Sequence, residues 1–389
     1  MREGWEYKKL GDVAQVVSGA TPKTNVTEFW GEGHYWVTPA ELNDDVVYVN
    51  HTERQITKVA LAKTKLQLLP KGTVLLSSRA PIGKVAICGV DMYCNQGFKN
   101  CICSDAVYNK YLFYFLKGKK VYLNSLGRGA TFKEISKSIV EKVVIPLPPK
   151  HEQKIIASEL DQINDLIRLK KEQLKEYDNL AQSIFYDMFG APVENEKGWE
   201  VKKLGTCIKV IGGYAFKSTQ YLESGIPILR IGNINKGILS AENLVFTEVD
   251  DRLKRYAVYP NDILMSLTGT AGKEDYGNVC IMNDLYPICY LNQRNAKLEI
   301  VAHLQHLYLA YFLKNKEIKR KLTGISRGVR QGNISNKDIE NLQIPLPPLP
   351  LQQEFSSRIE QIEQLKSEVQ KTITDLETLL ASRMQYWFE

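Results

Sequence analysis

An internal duplication constrains the fold of this chain more than any other feature. Three segments occur in both halves: GWE-KKLG at Gly4–Gly11 and Gly198–Gly205, Y-L-x-YFLK at Tyr111–Lys117 and Tyr308–Lys314, and IPLPP at Ile145–Pro149 and Ile344–Pro348. The pair Asn95-Gln96 also returns, as Asn292-Gln293. Because the shared segments keep the same order, the chain is predicted to contain one fold twice.

Each copy has the pattern of a mixed α+β domain. Short β-branched runs such as Gly72–Ser77 and Asn261–Ser266 alternate with a few apolar helical stretches, which predicts a strand-rich core. The proline-rich segment that ends each copy is incompatible with a helix or a central strand. We therefore predict two globular domains, at residues 1–149 and 191–348, and 389 residues are enough for two cores.

A long helix is predicted after each domain, at residues 150–190 and 349–389. Apolar residues recur at steps of four and three, interrupted at Lys170 in the first helix and at Lys366 and Arg383 in the second. The first stripe comprises Ile156, Leu160, Ile163, Ile167, Leu174, Tyr177, Ala181, Ile184 and Met188, and the second comprises Phe355, Ile359, Ile362, Val369, Ile373, Leu376, Leu380 and Trp387. This spacing is typical of a coiled coil. We expect antiparallel pairing, with the two domains separated by the helices and related by a pseudo-two-fold axis.

Composition narrows the class of protein only moderately. The net charge is +7 and the isoelectric point is near 8.8, a mild excess that suits a polyanionic partner. The seven cysteines lack the paired spacing of a zinc site. No apolar run is long enough to cross a membrane. These features predict a cytoplasmic protein with reduced thiols and no membrane association.

The doubled domain, its GWE-KKLG start and IPLPP end, and the heptad helices that carry Glu152-Gln153 and Gln352-Gln353 closely resemble the specificity subunits of type I restriction-modification systems. The resemblance implies two target recognition domains that bind an asymmetric, bipartite sequence in double-stranded DNA. It also implies a scaffold for two methyltransferase subunits and for restriction motor-nuclease subunits. Catalysis would reside in those partners, which use S-adenosylmethionine, ATP and Mg, so this chain would be no enzyme and would bind no cofactor.

Polar and basic residues on loops at equivalent places in both copies are the candidate DNA contacts. Recognition needs cations for phosphates and amide or guanidinium groups for base edges. In the first domain the candidates are Thr21, Lys23, Ser77, Ser78, Arg79, Lys84, Asn95, Gln96, Arg128 and Lys133. In the second they are Lys217, Thr268, Lys273, Gln293, Arg294, Arg327, Arg330 and Gln331. The second copy is longer near residue 275, so Lys84 corresponds to either Lys273 or Asn278.

Each candidate also has a plainer interpretation. A loop arginine is commonly solvated or paired with a nearby carboxylate, and the Asn-Gln pairs are equally suited to stabilising a turn. The outward helix residues Arg168, Lys171, Lys175, Arg358 and Glu363 contact either partner subunits or water.

Enzyme functions are poorly supported by the motifs. The segment from Thr268 to Glu274 resembles a phosphate-binding loop but has Leu267 in place of the first glycine. His303 and His306 lack a third metal ligand, and Asp250-Asp251 is typical of a solvated loop. The competing function is a non-catalytic protein-interaction scaffold with a coiled-coil spacer.

Overall fold

The computed structural model describes residues 4–129, 133–235, 237–270, 275–324 and 331–389. It consists of two units, one formed by Met1–Gln173 with Val369–Glu389 and the other by Leu174–Glu368. Each unit therefore contains one predicted globular domain, the beginning of the helix that follows it and the end of the other long helix.

The described residues of the first half of the chain form ten strands: β1 (Glu6–Lys9), β2 (Ala14–Ser18), β3 (Trp30–Val37), β4 (Tyr48–Val49), β5 (Gln55–Ile56), β6 (Val74–Leu76), β7 (Val85–Cys88), β8 (Tyr93–Cys94), β9 (Lys99–Cys103) and β10 (Val144–Leu147). The helices are α1 (Leu10–Val13), α2 (Lys58–Lys63), α3 (Asn109–Gly118), α4 (Lys120–Ser125), α5 (Lys137–Glu141) and the long α6 (Lys150–Phe189).

The second half repeats this plan, and its described residues form twelve strands: β11 (Glu200–Lys203), β12 (Ile208–Gly212), β13 (Ile226–Leu229), β14 (Val245–Thr247), β15 (Ala257–Val258), β16 (Ile263–Ser266), β17 (Thr268–Thr270), β18 (Val279–Ile281), β19 (Cys289–Leu291), β20 (Asn295–Ile300), β21 (Gln331–Asn333) and β22 (Gln343–Leu346). The helices are α7 (Ile231–Ile234), α8 (His306–Lys314), α9 (Lys316–Thr323), α10 (Asn336–Glu340) and the long α11 (Leu349–Phe388).

Sheet topology shows that the two domains share one fold. Within the described ranges, the larger sheet of the first domain has the order β2-β9-β6-β7-β4, and its counterpart has the order β12-β20-β16-β18. A second sheet has the order β5-β3-β8 in the first domain and β14-β13-β19-β15 in the second. Each of these second sheets contains one parallel pair at the same place: β3 runs parallel to β8 in the first domain, and β13 runs parallel to β19 in the second. The predicted α+β architecture with a repeated domain is confirmed.

The repeated terminal segments pair with each other and close each domain. Strand β1 lies antiparallel to β10, and β11 lies antiparallel to β22, with Lys8 opposite Ile145 and Lys202 opposite Ile344. A buried tyrosine hydroxyl anchors each proline-rich strand. Tyr111 donates a hydrogen bond to the Pro146 carbonyl and Tyr308 donates one to the Pro345 carbonyl, both at 2.7 Å. Conserved sequence in the two halves therefore marks the shared scaffold.

A buried glutamine connects each long helix to its domain. The Gln153 amide donates to the Ala106 and Pro148 carbonyls at 3.0 and 2.9 Å, and its oxygen accepts from the backbone N–H of Tyr108 at 2.8 Å. Gln352 makes the equivalent three bonds to His303, Pro347 and Gln305. Both side chains are almost fully buried, so each helix begins at a fixed position on its domain.

The long helices run antiparallel within each unit. In the first unit Glu159 accepts from Arg383 and Trp387, and Lys171 pairs with Glu377 at 3.3 Å. In the second, Lys366 pairs with Asp178 at 2.7 Å. Most apolar stripe residues are buried or half-buried, as a helix seam requires. Helix α6 ends at Phe189, and Gly190 follows with φ of 75°, a left-handed conformation that glycine adopts readily at a helix end.

Candidate nucleic-acid interface

A close backbone contact positions the first candidate loop in both domains. A Cβ atom added to Gly19 would lie 2.1 Å from the Asn95 carbonyl oxygen, and one added to Gly213 would lie 2.1 Å from the Asn292 carbonyl oxygen. Only glycine fits at this distance. The loop after β2 or β12 is therefore held directly against the repeated Asn-Gln pair, which places loop side chains and the amide of Gln96 or Gln293 on one surface.

In the first domain this surface contains Thr21, Lys23, Asn95 and Gln96. The Thr21 hydroxyl donates to the Gln96 side-chain oxygen, and both residues are exposed. Asn95 is half-buried and its side chain accepts from the backbone N–H of Gly97 at 2.9 Å. Asn95 therefore stabilises the turn, as the plainer interpretation predicts, whereas Gln96 and Lys23 remain exposed.

The second domain presents different side chains at the same place. Lys217, Gln293 and Arg294 are exposed, and the Gln293 backbone donates to the Tyr214 carbonyl at 2.7 Å. Arg294 has φ of 72°, and its carbonyl accepts from Leu267 at 2.8 Å. The turn thus fixes the backbone of Arg294 while its guanidinium faces solvent.

The turn between β6 and β7 has two buried serines, an exposed arginine, Arg79, and a half-buried lysine, Lys84. Ser77 and Ser78 are fully buried. The Ser77 hydroxyl donates to the Pro81 carbonyl and accepts from the Lys84 N–H, both at 2.8 Å, so Ser77 stabilises the turn from inside. Lys84 donates from Nζ to the Pro39 carbonyl at 3.0 Å.

Equivalent hydrogen bonds establish the counterpart of Lys84. The Ser266 hydroxyl accepts from the backbone N–H of Asn278 at 3.1 Å, as Ser77 does from Lys84, and the Ser266 N–H donates to the Asn278 carbonyl. Lys84 therefore corresponds to Asn278, one of the two alternatives that the sequence left open. A cation in the first domain is replaced by a neutral amide in the second.

Arg79 pairs with a carboxylate, the plainer fate for a loop arginine. Its Nε lies 3.0 Å from Glu134 Oε2, and the nearly buried Lys99 donates to Glu134 Oε1 at 3.1 Å. Burial of Glu134 alone would raise its pKa, but the hydrogen bonds from Lys99 and Arg79 keep that pKa below its ordinary value. About half of the Arg79 side chain is exposed, so its remaining donors face solvent.

The corresponding pair in the second domain is neutral. Ile135 donates to the Ser78 carbonyl, and Ile334 donates to the Leu267 carbonyl, which places Arg79 and Glu134 at the positions of Thr268 and Asn333. The Thr268 hydroxyl donates to Asn333 at 3.1 Å. An ion pair and a hydroxyl-amide pair thus occupy the same backbone positions.

Of the remaining candidates, the structure describes Arg128, Lys133 and the backbone of Gln331. Arg128 and Lys133 are exposed, and the Arg128 backbone pairs with Glu134. Lys273, Arg327 and Arg330 lie outside the described residues. Gln331 pairs through its backbone with Thr270, and its side chain also lies outside the described part of the structure.

One exposed arginine was absent from the sequence-based candidates. The guanidinium of Arg54 lies 3.6 Å from the ring centroid of Trp30 and 5.4 Å from that of Trp36. No motif connects these residues in sequence, because only the pairing of β3 with β5 brings them together. Charge or aromatic content alone gave no signal for this contact.

The acidic, histidine and cysteine side chains of the described residues bear on whether this site could hold a metal. No group of three or more His, Cys, Asp or Glu side chains within them has a metal-binding arrangement. Asp250 accepts from Arg252, and Asp251 pairs with Lys254 at 2.9 Å. Burial lowers the pKa of His306 and raises the pKa of Cys94 to about 12, so this thiol is not activated.

Several outward helix residues form ion pairs on the helix surface. Arg168 pairs with Glu172 at 2.9 Å, and Arg358 pairs with Glu354.

A search of the described residues for a helix with the length and apolar character of a membrane span found none.

The family model described as the type I restriction modification DNA specificity domain matches residues 2–177 and 196–378. The specificity subunit of the type I restriction enzyme MjaIX from Methanocaldococcus jannaschii is 33% identical over 379 residues, covering 92% of this chain and 86% of that protein. The EcoKI specificity subunit from Escherichia coli K12 is 22% identical and covers 96% of this chain and 85% of that protein.

Solved structures agree with this at the level of fold. A chain from a study of complex assembly and conformational transition in the type I R-M system has a TM-score of 0.59 at 20% identity, covering 100% of this chain and 98% of that one. The type I restriction-modification S subunit from M. genitalium has a TM-score of 0.52 at 16% identity, with coverage of 99% and 96%. Since the family model matches both halves, the chain belongs to the type I restriction-modification DNA specificity family.

Proposed function

We propose that this chain is the non-catalytic subunit that recognises DNA in a type I restriction-modification complex, with one half of a bipartite target bound by each domain. The observation that carries the proposal is the comparison of the two candidate surfaces. Backbone positions match, whereas the side chains differ: Arg79 and Glu134 against Thr268 and Asn333, and Lys84 against Asn278. Two similar domains with different polar groups suit two different half-sites.

The partners are proposed from the family. Two methyltransferase subunits would bind the helices and methylate adenine with S-adenosylmethionine. Motor-nuclease subunits using ATP and Mg would cleave DNA. In this scheme the chain supplies sequence recognition and a scaffold, binds no cofactor and acts in the cytoplasm.

The test is to co-purify the chain with the methyltransferase from its own locus and to map methylated adenines on random DNA supplied with S-adenosylmethionine. We expect a split, asymmetric motif, one half of which changes when residues 1–149 are exchanged for those of a relative. A stable complex that methylates without sequence preference would contradict the proposal.

A protein-interaction scaffold is the competing function, and the dependence of binding on salt concentration distinguishes it from DNA recognition. DNA binding through phosphate contacts weakens steeply with ionic strength, by roughly one power of salt concentration per contact. Binding that is insensitive to salt and to DNA sequence would favour the scaffold.

A further inference from the structure

An exposed arginine in the first domain is held flat against tryptophan. The Arg54 guanidinium lies 3.6 Å above the centre of the Trp30 ring, within the range of a cation-π contact. Trp30 in turn meets Trp36 edge to face, with ring centroids 4.9 Å apart. Among the described residues, no carboxylate or carbonyl hydrogen-bonds to this guanidinium. The Trp30 ring therefore holds the guanidinium in place while the Arg54 side chain remains exposed to solvent.

The two tryptophans connect Arg54 to the candidate loop. The Trp30 indole N–H donates to the Lys23 carbonyl at 3.2 Å, and the Trp36 indole N–H donates to the Ala20 carbonyl at 3.1 Å. This loop also carries Thr21, which donates to Gln96. The backbone of the loop that carries Thr21 and Lys23 thus lies against the two tryptophans that Arg54 contacts.

The arginine is specific to the first domain. Trp36 pairs with Tyr93 as Ile228 pairs with Tyr290, so Trp36 and Ile228 are counterparts. The Trp36 N–H donates to the Arg54 carbonyl at 3.2 Å, and Ile228 lies opposite Val245. Val245 therefore occupies the position of Arg54. A surface group present in one domain and absent from the other at the same backbone position is suited to distinguish two half-sites.

Nearby charges favour a base edge over a phosphate as the ligand. The cleft that contains Arg54 is also lined by Glu32, Glu53 and Gln55, and both carboxylates are exposed. They would repel a phosphate, but a carboxylate can accept a hydrogen bond from the cytosine amino group. An arginine fork beside such acceptors matches a guanine-cytosine pair in the major groove.

We propose that Arg54, oriented by Trp30, contacts a guanine base edge in the half-site recognised by the first domain. The proposal rests on the proposed function, since it assigns one specificity contact to a surface inferred to bind DNA. Because stacking and the two-pronged hydrogen bond both need a planar guanidinium, lysine cannot replace it.

The experiment maps methylated adenines on random DNA for the wild-type complex and for Arg54→Ala, Arg54→Lys and Lys58→Ala. Lys58 is an exposed cation at the start of the neighbouring helix α2 and controls for lost charge. We expect both Arg54 variants to lose about tenfold or more in preference at one position of one half-site. The other half-site and the Lys58 variant should be unchanged.

Three outcomes overturn the proposal. Unchanged preference in both Arg54 variants would remove Arg54 from recognition, and a uniform loss rescued by lysine would make it a phosphate contact. Equal changes in both half-sites, with a lowered melting temperature, would make Arg54 structural. A wild-type complex without any sequence preference would instead refute the proposed function itself.

Discussion

The two domains use the same backbone to present different chemistry. In the first, an arginine-glutamate ion pair and a lysine occupy positions that in the second hold a threonine-asparagine pair and an asparagine. In contrast, the groups that build the frame are kept, including Tyr111 and Tyr308 on the proline-rich strands. The repeated segments therefore specify the shared backbone of the two domains, and the loops between these segments differ in charge and hydrogen-bonding groups.

The largest expected effect comes from the aromatic residue at the end of each long helix. Phe388 packs against Tyr111 with centroids 5.3 Å apart, and Phe189 packs against Tyr308 at 4.8 Å. Phe388→Ala and Phe189→Ala should each cost about 3–5 kcal/mol. Hydrogen exchange followed by mass spectrometry should show the first domain opening in Phe388→Ala and the second in Phe189→Ala. Equal opening of both domains in either variant would contradict the conclusion that Phe388 and Phe189 each stabilise their own domain in the same way.

The glycine contact offers a smaller and sharper comparison. Gly19→Ala and Gly213→Ala each place a methyl group 2.1 Å from a carbonyl oxygen, so we expect a loss of about 1–3 kcal/mol from overpacking. The adjacent Gly212 has no atom within 4 Å of a built Cβ, and Gly212→Ala is the matched control. Thermal unfolding should separate Gly213→Ala from Gly212→Ala, and similar melting temperatures would contradict the proposed contact.

The glutamine bonds test whether the scaffold is truly shared. Gln153→Ala and Gln352→Ala each leave buried polar groups without partners, which should cost about 1–3 kcal/mol. Exposed Gln353, next to Gln352, is the control, and Gln353→Ala should change the free energy of unfolding little. If only one of the two buried glutamines mattered, the domains would differ in scaffold as well as in loops.

The smallest effect concerns pH and distinguishes the domains directly. The pKa of Glu134 lies below its ordinary value, so its ion pair stabilises the first domain above the unfolded pKa and is lost as pH falls through the folded pKa. Since Glu134 is more than a third exposed, the contribution should be below about 1 kcal/mol. A carboxyl titration followed by NMR should detect it, with Glu134→Gln as control. No counterpart is expected at Asn333.

The sequence predicted the repeated domain and the two long helices because repeats and heptads are visible in the sequence itself. It indicated that one domain occurs twice, and the long helices span Lys150–Phe189 and Leu349–Phe388 in the structure. It could not predict the partners of Arg79 or Arg54, since Glu134 and Trp30 are remote in sequence and only strand pairing brings each pair together. Buried Ser77 and Ser78 resembled exposed loop residues because composition does not reveal which hydroxyls a tight turn uses.

The most direct test of the account transfers the second domain's side chains into the first. Arg79→Thr and Lys84→Asn, combined in one chain that keeps Glu134 as the partner of the nearly buried Lys99, should preserve the fold because the backbone positions match. Mapping of methylated adenines by the assembled complex should then show an altered or lost half-site for the first domain and an unchanged half-site for the second. Identical motifs before and after the transfer, or changes in both half-sites, would contradict the claim that these positions carry the distinction.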